Sequence, residues 1–210
     1  MHLLPQPTEE NQRRVTRVVQ AVLVAIVGYG LVAGQSKAIV NGGIALAVTV
    51  MPALLERNYE IPLDPWLGTW LTAAVFLHTL GSAGLYGYIH WWDHVTHAMS
   101  ASLVAGTGYI AARAIDLHDD DIHIPRRFAF VYILVVVLAF GVIWELFEFG
   151  LDVASAETGL EMPLAQHGLD DTVRDLMFNT LGALLVAAFG QAHLTNVADR
   201  VRVGLLTREP

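Results

Sequence analysis

Six apolar blocks alternate with short polar stretches along the chain, at approximately Val15–Ala33, Ile39–Leu55, Trp66–Leu85, Asp93–Ala114, Phe128–Phe149 and Thr172–His193. Blocks of about 20 residues, rising ~1.5 Å per residue as helix, match the ~30 Å hydrocarbon core of a bilayer. That core offers backbone groups no partners, so a spanning segment of this kind satisfies them internally as a helix. The pattern predicts an all-α fold: a polytopic transmembrane helical bundle of about six spans, one membrane domain over residues 1–210. The second block is short and holds Asn41, Gly42 and Gly43, which predicts tilt or local unwinding there. Glu9, Glu10, Arg13 and Arg14 precede the first block, and no small-residue cleavage site follows it. The first span therefore reads as a retained helix rather than a removed signal.

Composition supports this picture and narrows it. Of 210 residues, 54% are hydrophobic and only 15% charged, against about a quarter charged in soluble domains. The absence of cysteine excludes disulfides and thiolate metal sites. Lys37 is the only lysine beside eleven arginines, a bias that a salt-rich habitat or a GC-rich genome would each produce. A net charge of −8 argues against nucleic acid, or anionic lipid bound through a basic patch.

The basic residues also orient the chain. With the N-terminus inside, cytoplasmic segments collect Arg13, Arg14, Arg17, Arg57, Arg113, Arg126, Arg127, Arg200, Arg202 and Arg208, leaving only Lys37 and Arg174 outside. Ten against two is a strong positive-inside bias, and it requires an even number of spans. Six spans in the cell membrane, with both termini cytoplasmic, satisfy both conditions.

Three polar clusters then fall at one depth, at the outer ends of spans four, five and six. The first is Y-I-H-W-W-D-H-V-T-H-A-M, residues 88–99. As a helix it places His90, Asp93, His94 and His97 on one face, with Trp91 and Trp92 anchored at headgroup level. The second, W-E-L-F-E-F-G-L-D, puts Glu145, Glu148 and Asp152 on a shared face. The third opens span six with L-D-D-T-V-R-D-L-M-F-N-T-L-G-A, where Asp171, Asp175 and Asn179 recur every fourth residue near Arg174 and Gly182. Each has a plain structural explanation: a wetted interfacial loop, Asp170 as an N-cap, Arg174 paired with Asp171 or Asp175, and Asn179 as an interhelical tie. Together they predict an outward-facing polar pocket rich in acid, with His78 on span three as a further candidate for its floor.

Two connections carry additional signals. The inner loop D-L-H-D-D-D-I-H-I-P-R-R contains Asp119, Asp120 and Asp121 flanked by His118 and His123, either a solvated loop or a weak cation site. The Gly150–Asp171 connection, with Leu160, Met162, Pro163 and Leu164, is long enough for a lid over the pocket or a short interfacial helix.

The ordered motifs W-D-H-x-x-H (Trp92–His97), W-E-x-x-E (Trp144–Glu148) and D-T-x-x-D-x-x-x-N-x-x-G-A (Asp171–Ala183) resemble small polytopic proteins of the YjdF type. More loosely, they resemble the VanZ-like proteins. The resemblance covers roughly Tyr86 to Ala188 and leaves the first two spans without a motif. It implies that Asp93, His97, Glu145, Glu148, Asp175 and Asn179 matter most. His94, beside Asp93, is a departure. Of biochemistry the resemblance implies little beyond the envelope and, for the VanZ-like proteins, glycopeptide resistance.

Three functions fit these residues. Imidazoles and carboxylates without thiols suit Zn²⁺, Mn²⁺ or Fe²⁺, with Asp93, His94, His97, Glu145 and Asp175 as candidate ligands. Glu148 would then be the general base and Arg174 the clamp on an anionic headgroup of an outer-leaflet lipid or lipid-linked phosphate, in a membrane hydrolase or phosphotransferase. His90, Asp152, Asp171 and Asn179 would complete the pocket. A proton- or cation-coupled carrier would use similar groups. It should also show polar residues toward the cytoplasmic side and an internal repeat, whereas the inner halves of spans four to six are nearly free of titratable groups. A non-catalytic envelope scaffold would use the cluster as a polar lock. Crowded carboxylates repel one another, however, so such an excess of acid over base calls for a cation or shared protons.

Overall fold

A computed structural model describes residues 8–59, 64–118, 121–159 and 168–190, with Leu194 and Ala198. Among the described residues the chain is all-helical. The long helices are α1 (Glu9–Ala33), α2 (Ser36–Tyr59), α3 (Pro65–Leu80), α5 (Trp92–His118), α6 (Arg126–Thr158) and α7 (Leu169–Leu185); α4 (Tyr86–Tyr88) is a single turn. These six long helices follow the six apolar blocks. By length and apolarity α1, α2 and α6 can each cross a membrane alone. The regular parts of α3 and α7 are 16 and 17 residues long. Each continues into a wider helical turn, Gly81–Leu85 and Val186–Gly190 respectively. In α5, Asp93, His94, His97, Arg113 and Asp116 interrupt the apolar run.

Several boundaries differ from those expected, each for a local reason. Helix α1 starts six residues early because the Thr8 hydroxyl accepts from the Asn11 N–H at 3.3 Å and Arg14 pairs with Glu10 one turn on. Helix α2 does not unwind at Asn41–Gly43. Gly42 is instead a close-approach position, where a Cβ would come within 2.8 Å of Val27 Cγ2 on α1. Helix α6 runs on past Gly150 to Thr158, so only residues 159–168 connect it to α7. Ala, Leu and Glu after Gly150 sustain the helix, since polarity alone does not end one. Leu160, Met162, Pro163 and Leu164 lie outside the described residues, as do Asp119 and Asp120, Arg200, Arg202 and Arg208.

The chain divides into two compact units at Ala83/Gly84. Gly84 has φ +140°, a backbone conformation that a side chain makes costly, and so it ends the run of α3. In the first unit α1, α2 and α3 pack mutually. Among its described residues the buried polar groups are uncharged, and the Gln20 amide donates to the Thr49 carbonyl and hydroxyl, both at 3.4 Å. His78 belongs to this unit.

The second unit packs α5, α6 and α7 against one another. Small residues set the approach of α5 and α7: a Cβ on Gly182 would run into the carbonyl oxygen of Ala98, while Ala101, Ser102 and Ala105 are buried. Between α6 and α7, a Cβ on Gly141 would meet Asn179 Nδ2 at 2.8 Å and Leu176 Cδ2 at 2.9 Å. Such close backbones give the dispersion contacts that hold helices together where no hydrophobic drive operates between them. Both contacts lie within two or three turns of the polar residues and fix how far apart the helices stand there.

Candidate metal centre

The N-terminus of α5 is anchored before it carries any chemistry. Thr96 Oγ1, in its first turns, donates to the Asp93 carbonyl at 2.7 Å. That uses its one proton, so the Tyr86 hydroxyl at 3.3 Å is the donor to Thr96. Burial pushes the Tyr86 phenol well above its ordinary value, and it stays a neutral donor at physiological pH. Because α5 begins at Trp92, His90 falls in the preceding turn and is exposed, not on the helical face expected from its spacing. His94 is on the helix but faces α7, its ring stacked on Phe178 with centroids 4.2 Å apart and planes 8° from parallel.

Asp93 and His97, one turn apart, meet Asp175 from α7. His97 Nε2 lies 3.6 Å from Asp93 Oδ1 and 3.7 Å from Asp175 Oδ1, and the three ligand atoms lie within 4.8 Å of one another. Those gaps are too long for hydrogen bonds. Donors ~2.1 Å from an ion in a tetrahedral shell stand roughly 3.4 Å apart, so the spacing suits a shared cation. Asp175 is only 2% exposed, and its Oδ1 has no hydrogen-bond partner.

Helix α6 supplies the next layer. Glu145, 5% exposed, accepts a hydrogen bond from Thr172 Oγ1 of α7 at 2.8 Å through Oε2, while its Oε1 is buried without a partner. Glu148 is half-buried, takes a hydrogen bond from Trp144, and lies in the fields of Glu145, Asp93 and Asp171. Asp175 is in side-chain hydrogen-bond contact with Asp93 and also lies in the fields of Asp93, Asp171 and Glu145. The helix that holds Asp175 begins at Leu169 after Gly168, whose carbonyl accepts from the N–H groups of Asp171 and Thr172, both at 3.1 Å. Asp170 is therefore an exposed first-turn residue and not the N-cap.

Arg174 is exposed and, among the described residues, pairs with none of these acids. Asp152 is half-buried one turn beyond Glu148, and Asn179 is buried against Gly141. Apart from Asp152 and Asn179, the expected residues thus sort into three groups. Asp93, His97 and Asp175 converge as potential ligands, Glu145, Glu148 and Asp171 surround them, and His90, His94 and Arg174 face elsewhere. Thr172, Thr96, Tyr86 and Gly141 were not among the expected residues. Gly141 had a signal in the sequence, since it sits one helical turn before Glu145 on the same face, and Thr172 stands in the D-T-x-x-D motif; the Tyr86–Thr96 pairing had none.

The chain matches the family described as "Predicted membrane protein (DUF2238)" over residues 15–196, and it belongs to that family. It is also similar to an uncharacterized protein of Thermotoga maritima, 27% identical over 184 residues that span 85% of this chain and 90% of the relative. No solved structure matches it. The chain is a membrane protein, and the family's span covers α2 to α7 and α1 from residue 15 on.

Proposed function

We propose that this membrane protein holds a divalent cation between Asp93, His97 and Asp175 and uses it on the phosphate of a lipid or lipid-linked headgroup. The observation that carries this reading is the unpartnered Oδ1 of Asp175, buried beside an imidazole and a second carboxylate at ligand spacing. A buried acid left open costs several kcal/mol unless a cation or a shared proton completes it, and an imidazole at ligand spacing suits the cation. One imidazole with two carboxylates suits Mn²⁺, Fe²⁺ or Zn²⁺.

Placement favours a lipid substrate. Arg113 and Arg127 lie ~24 Å and ~27 Å along their helices from His97 and Glu145, close to a hydrocarbon thickness. With those arginines cytoplasmic, the acids stand at outer headgroup depth in the cell membrane. Exposed Tyr88, Trp91, Trp144 and Phe147 near the acid-bearing turns suit that depth. Arg174, exposed and paired with none of the described acids, suits an anionic headgroup. In the hydrolytic reading, a water oxygen bonds to phosphorus while the bond from phosphorus to the lipid oxygen breaks. Glu148 takes the water proton and returns it to the departing oxygen. Kinship with the YjdF type, and more loosely with VanZ-like proteins, belongs to the same proposal, because their three motifs supply the ligands, Glu145, Glu148 and Thr172.

A structural polar lock is the competing reading, favoured by the Thr172–Glu145 bond and the Gly141–Asn179 contact. Metal analysis separates the two. Full chain purified in non-ionic detergent after growth with Mn²⁺, Fe²⁺ and Zn²⁺ should carry bound metal that His97→Ala and Asp175→Asn each abolish. Metal-free protein that takes up none of the three at neutral pH contradicts the proposal and leaves the lock.

A further inference from the structure

Glu145 is not explained by a single ion. With Asp93 and Asp175 balanced by one divalent cation, Glu145 remains a carboxylate 5% exposed, with Oε1 unpartnered. Its position follows from two contacts. Gly141, one turn earlier on α6, stands against Leu176 and Asn179, while Glu145 itself bonds Thr172. Asp175 shares the Thr172 face of α7, one turn along, and that is the face whose Thr172 bonds Glu145. Asp175 accordingly lies in the field of Glu145.

We infer a second divalent-cation site between Glu145 and Asp175, with Asp175 as the carboxylate shared by two ions; this rests on the first site proposed above. Two carboxylates, with water or a substrate phosphate oxygen completing the shell, are the usual means of holding a hard cation such as Mg²⁺ or Mn²⁺. Two ions ~3.5–4 Å apart clamp both the attacking and the departing oxygen of a phosphoryl group. Thr172 holds the far oxygen of Glu145 and so aims Oε1 at the second ion.

The test is a Mn²⁺ titration of the full chain in non-ionic detergent, counting bound Mn²⁺ by electron paramagnetic resonance. The wild type should bind about two Mn²⁺ per chain with a spin-coupled spectrum, and Glu145→Gln about one, uncoupled. The glutamine preserves an acceptor for Thr172, and the remaining ion shows the variant folded. Thr172→Val should weaken the second ion several-fold and leave the first. One ion in both the wild type and Glu145→Gln overturns the second site and spares the first. Two ions in both also overturn it, because Glu145 would then hold neither. No bound Mn²⁺ in the wild type overturns both.

Discussion

Two aspartates of the second unit make an instructive pair. Asp116 and Asp175 are both buried, with side chains 4% and 3% exposed. Asp116, near the C-terminal end of α5, pairs with Arg113 and accepts from the Ile124 N–H at 2.6 Å, with His123 Nδ1 at 3.8 Å. It closes the turn into α6 and is complete. Asp175 has one imidazole at 3.7 Å and other acids around it, Asp93 in hydrogen-bond contact among them, and its Oδ1 has no partner. The same residue at the same burial is thus a finished structural tie in one place and an open valence in the other. Burial alone marks neither as functional; the company does.

The largest effect expected from this contrast is on Asp116. Asp116→Ala removes the partner of Arg113 and leaves the Ile124 N–H unsatisfied, which should cost about 3 kcal/mol of stability. Chemical unfolding in detergent would show it, with metal content unchanged. Asp175→Asn should do the reverse, abolishing metal uptake while leaving the metal-free protein as stable as the wild type or up to about 1 kcal/mol more so, because repulsion is relieved. If Asp175→Asn costs as much as Asp116→Ala without metal, the two aspartates are alike and the contrast fails.

Next in size is Gly141→Ala. Its methyl must displace Asn179 and Leu176, at a cost of about 1–3 kcal/mol. Because the shift separates Glu145 from Thr172, metal affinity should fall with stability, read by unfolding and by Mn²⁺ titration of one preparation. Tyr86→Phe is the smallest: it loses one hydrogen bond to Thr96, about 0.5–1.5 kcal/mol, with metal binding retained. Equal loss of metal in Tyr86→Phe would make the start of α5 part of the site rather than its support.

Much of the fold was legible in the apolar blocks, because a bilayer-length run can satisfy its backbone in few ways. The ends of helices were less so. In G-L-D-V-A-S-A-E-T the helix-forming Ala, Leu and Glu stand among Gly, Asp, Ser and Thr, so the stretch points both ways, and Gly84 reads like any other glycine of its stretch. For the site, the i, i+4 spacing of Asp93 and His97 and the four-residue period through Asp171, Asp175 and Asn179 were visible directly. The orientation of neighbours was not. His94 and His97 are equally good ligands on paper, and only the packing of Phe178 against α5 turns one away. Arg174 sits among acids in the sequence, yet on a helix it points about 100° from Asp175.

The claim on which the rest depends is that His97 completes an ion held by Asp93 and Asp175. X-ray absorption on the Zn²⁺-loaded protein tests it most directly. The expected spectrum is an N/O shell at ~2.0–2.2 Å with the outer-shell scattering of about one imidazole, lost in His97→Gln. A shell with no imidazole contribution, or one that persists unchanged in His97→Gln, would contradict it.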